Sequence, residues 1–176
     1  MRKFLFKYLS FLLSGLYNLL VSSAQYQYII KIQKKYPLIL TKSFHIDTYI
    51  YGEGHISIGE GSYLGKGTFI YSDPKEAMIS IGKNCMISHN VQIRTLTYES
   101  DSIHLDPSER KYKFDNIIIG DNVWIGANVF IKNGIRIGDN VIIGAGSVVT
   151  KSFEDDLIIS GAPAKIIKSR LDNNRV

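Results

Sequence analysis

The residues best suited to acid–base chemistry lie in one polar, unrepeated stretch, residues 94–118. His104 is the only histidine there, and Asp101 and Asp106 lie close to it in sequence. An imidazole titrates near pH ~6.5, so it can accept a proton from a substrate hydroxyl at neutral pH, and a carboxylate can orient the ring. Long loops in compact domains are usually functional or disordered. His104 has the right chemistry for a general base, but a lone loop histidine is more often a solvated surface group, and only the family resemblance given below raises that role.

The remaining chemistry-bearing residues predict neither a metal site nor a reactive thiol. His45, His55 and His89 are scattered, and a zinc site would need about three such ligands together. The single cysteine, Cys85, falls at an inward position of the repeat described next, so we predict a buried packing residue. The sequence contains no recognisable phosphate-binding glycine loop or Ser-His-Asp arrangement.

A six-residue repeat must position these residues. An aliphatic residue recurs at every sixth place, and a small or branched residue precedes it by two places. The aliphatic positions are Ile58, Leu64, Ile70, Ile81, Ile87, Ile93, Ile119, Ile125, Ile131, Ile137, Ile143 and Val149. Neither a helix nor an ordinary strand has this period, and a fixed short repeat predicts a solenoid. The phase slips at 71–80 and 94–118 predict inserted loops.

Each hexapeptide is predicted to be a short strand with its aliphatic side chain inward, followed by a turn. Glycine follows many of the aliphatic residues, at Gly59, Gly65, Gly82, Gly120, Gly126, Gly138 and Gly144. Glycine and asparagine tolerate positive φ, so we predict that these glycines allow the turns.

Positive charge is concentrated at the N-terminus of the chain. The net charge is +5, yet residues 1–36 carry six basic residues and no acidic one. The rest of the chain is nearly neutral, which argues against a nucleic-acid surface on the repeats. With 176 residues, of which 45% are hydrophobic, the chain can form one domain with a large core.

Residues 1–39 are predicted to form an amphipathic helical segment outside the repeats. One helical face carries Leu5, Leu9, Leu12, Leu16, Leu19 and Leu20. Lys7 interrupts the apolar run, which argues against a signal peptide and against a membrane span. We expect residues 1–35 to dock on the end of the solenoid or to rest on an anionic membrane surface. A separate short helix over 25–36 would end before Pro37.

The repeat and the C-terminal sequence resemble those of hexapeptide-repeat acetyltransferases, in particular sugar O-acetyltransferases of the maltose and galactoside type. The motifs are NVWIG at 122–126, IGAGSVVTK at 143–151 and GAPAKIIK at 161–168. The resemblance covers about residues 40–170.

The resemblance implies an all-β fold preceded by the helical segment. A left-handed parallel β-helix would cover residues 40–157, with the inserted loop at about 94–118. A tail over 158–176 would contact the cofactor. The resemblance also implies a homotrimer with active sites between subunits. Because acetyl-CoA is a cytoplasmic donor, it implies a cytoplasmic protein, at or near the inner face of the membrane.

The implied reaction transfers an acetyl group from acetyl-CoA to a hydroxyl of a sugar or polysaccharide acceptor, as in O-antigen or capsule biosynthesis. In the family a loop histidine is the base, but by spacing Tyr98 occupies its place here. A phenol with a pKa of ~10 is ionised to only about one part in a thousand at neutral pH. Two alternatives stay open: His104 enters the site, or the base is lost and Tyr98 only positions the substrate.

The residues that the resemblance implies for donor binding are Trp124, Ala127, Ala145, Thr150, Lys151, Lys165 and Lys168. Trp124 would form a wall of the cleft or pack on a neighbouring subunit, and the lysines Lys165 and Lys168 would meet the CoA phosphates. Other functions compatible with the pattern are a sugar N-acetyltransferase, a serine or antibiotic acetyltransferase, a zinc enzyme like the hexapeptide carbonic anhydrases, and a catalytically silent scaffold.

Overall fold

A computed structural model describes residues 2–171 of the chain, with side chains from residue 13 onwards. These residues form one long helix, α1 (Arg2–Lys35), followed by short strands. The strands are β1 (Ser43–Phe44), β2 (Tyr49–Tyr51), β3 (His55–Ile58), β4 (Tyr63–Leu64), β5 (Phe69–Tyr71), β6 (Met78–Ile81), β7 (Met86–Ile87), β8 (Gln92–Arg94), β9 (Leu96–Tyr98), β10 (Tyr112–Phe114), β11 (Ile117–Ile119), β12 (Trp124–Ile125), β13 (Phe130–Ile131), β14 (Arg136–Ile137), β15 (Ile142–Ile143), β16 (Val148–Val149), β17 (Leu157–Gly161) and β18 (Ala164–Ser169).

Successive strands belong in turn to three parallel sheets. The first sheet contains β1, β4, β7, β12, β15 and β17, and β18 joins its edge antiparallel to β17. The second contains β2, β5, β8, β13 and β16, and the third contains β3, β6, β11 and β14. Where nothing is inserted, one turn returns the chain to the same sheet, so Trp124 pairs with Ile142. The chain is thus a three-sided coil of parallel strands.

The inward positions predicted from the repeat are confirmed. The aliphatic residues at every sixth place are at most 2% exposed, and they form one continuous core. Cys85 is fully buried, as predicted, with its Sγ 3.1 Å from the carbonyl oxygen of Gly120. Burial raises the pKa of the Cys85 thiol, which keeps it in the unreactive protonated form.

The role predicted for the glycines after the aliphatic residues is wrong. Positive φ occurs instead at turn residues such as Gly67 (φ 72°), Asn122 (φ 57°) and Asn140 (φ 58°). The glycines after the aliphatic residues are needed because the next coil passes too close for a side chain. A Cβ on Gly65 would lie 2.6 Å from the carbonyl carbon of Ser88.

Replacing Gly65 by alanine is expected to lower the free energy of unfolding by about 1–3 kcal/mol, because backbone of the next coil must move. The measurement is urea unfolding followed by circular dichroism. Gly15 is the control: it lies in α1 with no atom within 4 Å of an added Cβ, so Gly15→Ala should cause no loss. Equal midpoints for Gly65→Ala and the unmodified chain would contradict the close-approach explanation.

Helix α1 is one continuous helix of 34 residues, so the prediction of a separate helix over 25–36 is wrong. The pair of lysines in its last turn stabilises the C-terminal end of the helix through the helix dipole. Ile29, Ile32 and Tyr36 are buried in the same core as the first coil. The second half of α1 therefore covers the open N-terminal end of the coil.

Polar side chains of α1, and of Tyr36 directly after it, donate hydrogen bonds to carbonyl groups at the open end of the first coil. Gln25 Nε2 donates to Phe44 O at 3.0 Å, and Tyr36 OH donates to Gly52 O at 2.8 Å. Capping of this kind is what the end of a solenoid requires. Within residues 2–171, no helix combines the length and apolarity needed to cross a bilayer.

Candidate active site

The chain leaves the coil between β8 and β11 and forms an antiparallel hairpin of β9 and β10. Tyr98 on β9 faces Tyr112 on β10 in register. Tyr112 OH donates to Tyr98 OH at 3.2 Å, and the ring centroids are 4.5 Å apart. The hydrogen bond to Tyr98 raises the pKa of Tyr112, so its phenol stays neutral at physiological pH. The pair presents two polarisable ring faces and hydroxyls.

An open groove of about 790 Å³ runs beside this hairpin. Its lining consists of Tyr71, Asp73, Pro74, Arg94, Leu96, Thr97, Tyr98, Tyr112 and Phe114. Buried Thr95 holds its two sides together, because its Oγ1 donates to Asp73 O and accepts from Asp73 N, both at 2.9 Å. The loop before β6 and the base of the hairpin therefore form one surface, which we call the aromatic groove.

Two charged side chains, Asp73 and Arg94, line this groove together with its aromatic rings. The Arg94 guanidinium lies 5.0 Å from the ring centre of Phe69 and donates to Gln92 Oε1 at 2.7 Å. Burial and the neighbouring Asp73 carboxylate raise the pKa of Tyr71, which remains a neutral hydrogen-bond donor. Aromatic walls with a few fixed polar groups suit a ligand that has an apolar face and a rim of hydroxyl groups.

His104 does not line the aromatic groove. It is exposed, in the loop that joins β9 to β10, just after a short 3-10 turn at Ser100–Ser102. Among the described side chains, no hydrogen bond joins His104 to Asp101 or Asp106. Buried Ser102 closes the base of this loop, since its hydroxyl donates to Glu99 O and accepts from Lys111 N, each at 2.9 Å. His104 can meet a ligand in the groove only if the loop closes or another subunit supplies it.

His89 lies on a different groove, of about 880 Å³, at the corner between the first and second sheets. Its neighbours there include Tyr49, Tyr63 and Lys66. Lys66 Nζ is 3.4 Å from Asp47 Oδ2, an exposed pair that contributes little to stability. Within residues 13–171, no three His, Cys, Asp or Glu side chains are gathered as a metal site would need.

The predicted donor-binding residues lie on two parts of the coil. Trp124 is 47% exposed on the outer face of the first sheet, in register with Ile142. Lys165 and Lys168 are on the edge strand β18 of that sheet. Ala127 and Ala145 occur one turn apart at the corner between the first and second sheets, where Gly146 N donates to Ala127 O at 2.8 Å.

Thr150 and Lys151 instead line a small polar pocket, of about 270 Å³, at the corner between the second and third sheets. Lys113 and Lys132 also line it, together with Asp115, so three lysines and one carboxylate surround the pocket. The Asn133 Oδ1 atom there is buried without a hydrogen-bond partner among the described residues. Three ammonium groups against one carboxylate give this pocket a positive charge, which favours an anion such as a phosphate; we call it the lysine pocket.

Sequence reasoning missed Tyr71, Arg94, Tyr112, Lys113 and Lys132. A signal for two of them exists: Tyr71 and Arg94 each directly follow an inward isoleucine of the second sheet and pair in register. Residues in that place must point outward on the same face. Tyr112 and Lys113 carry no such signal, because the hairpin that places them lies outside the repeat.

Comparison with known proteins identifies the repeat. Residues 116–151 match the family model described as bacterial transferase hexapeptide (six repeats). Galactoside O-acetyltransferase from Escherichia coli (strain K12) is 36% identical over 129 residues, which cover 72% of this chain and 60% of that protein. A Dictyostelium discoideum protein assigned as an acetyltransferase is 43% identical over 117 residues, covering 65% and 57%. Residues 116–151 are therefore hexapeptide repeats of the bacterial transferase type, and about two thirds of the chain is similar to acetyltransferases.

Two further similarities of this chain bear on its length and fold. WbbJ from Escherichia coli (strain K12), assigned to lipopolysaccharide biosynthesis as an O-acetyltransferase, is 28% identical over 183 residues, covering 80% of this chain and 93% of WbbJ. The chain spans only 57% and 60% of the two relatives named before it. A mutant of AntD, an N-acyltransferase from Bacillus cereus in complex with dTDP and coenzyme A, superposes with a TM-score of 0.62 at 26% identity, covering 73% of this chain and 70% of AntD.

Proposed function

We propose that this protein moves an acetyl group from acetyl-CoA to a hydroxyl of a sugar. The observation that carries the proposal is the aromatic groove, which combines ring faces with Asp73 and Arg94. A pyranose ring has an apolar C–H face that stacks on aromatic side chains and a rim of hydroxyls that needs such polar partners. The sugar substrates named for the galactoside relative support the same class of acceptor.

In the proposed reaction the acceptor hydroxyl oxygen attacks the carbonyl carbon of the thioester. The new C–O bond forms, the C–S bond breaks, and the hydroxyl proton passes to a base. The released thiolate takes a proton and leaves as the free thiol of CoA. Tyr98 and Tyr112 orient the sugar, and we assign the base to His104, whose loop must close over the groove or come from a second subunit. Apo geometry alone does not exclude such a base, because catalytic hydrogen bonds often form only with substrate bound.

The donor would bind along the C-terminal coils. We propose that the lysine pocket, with Lys151, Lys132 and Lys113, holds a phosphate of CoA, and that Thr150 contributes its hydroxyl. Backbone groups at Ala127 and Ala145 would hydrogen-bond to the amides of the pantetheine arm, with Trp124, Lys165 and Lys168 on the adjoining face. The coenzyme A bound by AntD supports this choice of donor.

We also propose the finer features that the family resemblance implied. They are a left-handed coil, and a homotrimer in which neighbouring subunits complete each active site. They also include a division into a helical segment (1–39), the coil (40–157) and a cofactor-contacting tail (158–176). The assignment of WbbJ to lipopolysaccharide biosynthesis favours an acceptor in surface polysaccharide. Since acetyl-CoA is made and used in the cytoplasm, we propose that the protein acts there.

Calorimetric titration with acetyl-CoA tests the donor first. We expect one molecule bound per subunit with micromolar affinity. A single charge-assisted contact to phosphate is worth about 1.5–3 kcal/mol, so Lys151→Gln and Lys132→Gln should each weaken binding about 10- to 100-fold. Lys66→Gln is the control, because Lys66 lies on a different groove. An unmodified chain that binds no acetyl-CoA would rule out the acetyltransferase function.

Turnover then separates the acetyltransferase from a silent scaffold. Release of the CoA thiol is followed with a thiol reagent while galactosides, amino sugars and nucleotide-linked sugars are offered as acceptors. Turnover with a sugar hydroxyl supports the proposal, whereas turnover only with amino sugars would make the protein an N-acetyltransferase. Donor binding without turnover on any acceptor would favour the scaffold.

A further inference from the structure

Apolar side chains of helix α1 are exposed over residues 13–20. Residues 13–20 are all exposed, including Leu13 (59%), Leu16 (56%), Tyr17 (67%) and Leu20 (59%). These four side chains share one face of the helix, at the 3- and 4-residue spacing of an amphipathic stripe. A stripe of this size on an isolated helix needs a partner, because its exposure to water is unfavourable.

Lysines continue the same stripe towards the coil. Lys31, Lys34 and Lys35 follow Leu13, Leu16 and Tyr17 by 18 residues each, which is about five helical turns, so they fall on the same line. Lys31 and Lys34 are exposed, and Lys35 Nζ lies 3.5 Å from Glu53 Oε1. Ile29 and Ile32, which pack on the coil, lie about 160° and about 100° around the helix from Leu13. The coil therefore leaves the stripe exposed except at its end, where Lys31 and Lys35 lie beside Tyr49 and Tyr51 of the coil and Lys35 pairs with Glu53.

The positive charge of residues 1–46 indicates which kind of partner the stripe can bind. Residues 1–46 contain seven Lys or Arg and no Asp or Glu, with Arg2, Lys3 and Lys7 at the other end of α1. A second copy packed in parallel along the same stripe would bring like charges together, which is unfavourable. An anionic surface that also accepts apolar side chains satisfies both parts of the stripe, and each basic residue near such a surface contributes about 1 kcal/mol.

We propose that the exposed stripe of α1 binds the surface of an anionic lipid bilayer. The helix lies along the surface, with Leu13, Leu16, Tyr17 and Leu20 among the acyl chains and the lysines at the phosphate level. The long lysine stems can reach the headgroups while covering apolar surface. The coil then stands on the side of α1 that faces away from the lipid. The binding is peripheral, which agrees with the lack of a spanning helix among residues 2–171.

Vesicle co-sedimentation of the full chain tests this proposal without any enzyme substrate, so it is independent of the proposed function. We expect binding to phosphatidylcholine vesicles that contain about one third phosphatidylglycerol, and at least ten-fold weaker binding to pure phosphatidylcholine. Added salt should weaken binding to the phosphatidylglycerol-containing vesicles, because salt screens the attraction between the lysines and the anionic lipid. Replacing Leu13, Leu16 and Leu20 together by serine should abolish binding, and Lys31→Gln with Lys34→Gln should remove most of the lipid selectivity.

Tyr26→Ser is the matched control. Tyr26 is as exposed as the stripe residues (61%), but it lies about 140° around the helix from Leu13. Its replacement should leave vesicle binding unchanged. Equal binding by the triple-serine variant and the unmodified chain would overturn the proposal. So would lipid-free self-association of the chain that the triple-serine variant loses, because the stripe would then be an interface between copies. Circular dichroism and urea unfolding establish that each variant keeps the folded coil.

Discussion

Replacement of His104 by alanine is expected to lower turnover at least 100-fold with acetyl-CoA and a sugar acceptor. The reason is that the acceptor hydroxyl must lose its proton as it attacks the thioester, and a positioned base supplies about 100- to 10,000-fold. The phenols of the aromatic groove cannot replace it, since the pKa of Tyr112 is raised by its hydrogen bond to Tyr98. The measurement is initial-rate kinetics with saturating donor, together with the affinity for acetyl-CoA, which should not change.

The control for this prediction is His89→Ala, because His89 is also an exposed histidine but lies on a different groove. Its turnover should stay within threefold of the unmodified enzyme. A loss below threefold for His104→Ala would show that His104 is not the base. In that case Tyr98→Phe and Tyr98→Ala are the next variants to measure. If they lose acceptor affinity without a change in proton transfer, Tyr98 is a positioning residue. A large loss for His89→Ala would move the acceptor to the groove beside Lys66.

Replacement of Ile125 by alanine is expected to lower the free energy of unfolding by about 2–5 kcal/mol. Ile125 is fully buried and pairs through β12 with both neighbouring coils, at Ile87 and Ile143. The cavity left behind can collapse little, because the strands on both sides are fixed by parallel ladders. Urea unfolding followed by circular dichroism gives the change, with the slope of the transition as a test that the folded and unfolded states keep their compactness.

Ile167→Ala removes the same atoms from an exposed position and is the control for this prediction. Ile167 is 62% exposed on β18, so its truncation should change stability by no more than about 0.5 kcal/mol. Equal losses for Ile125→Ala and Ile167→Ala would contradict the coil described here. A large loss for Ile167→Ala alone would mean that β18 packs against another subunit in solution.

The sequence by itself determined the coil, because the six-residue pattern that encodes the coil is local and repeated along the chain. In a three-sided coil, an aliphatic residue at every sixth place falls once on each side and points inward each time. The burial of Ile58, Ile87 and Ile143 follows from that period. Cys85 was predicted to be buried by the same rule. The glycines were misread for a physical reason: their close contacts are with the next coil, at Gly82 for Gly59 and at Ser88 for Gly65. Contacts between coils are invisible to an argument about one turn.

The tertiary structure alone decided what surrounds Tyr98. Its partner Tyr112 comes from a hairpin outside the repeat, whose pairing no spacing predicts. Arg94 and Tyr71 meet because one turn of the coil separates them, and Thr95 ties the neighbouring loop to the hairpin through Asp73. Tertiary structure also decided that α1 is continuous and covers the coil end with one face only. Distant residues are brought together in each case by stacking of coils, and stacking depends on pairing between segments rather than on the order of residues within one.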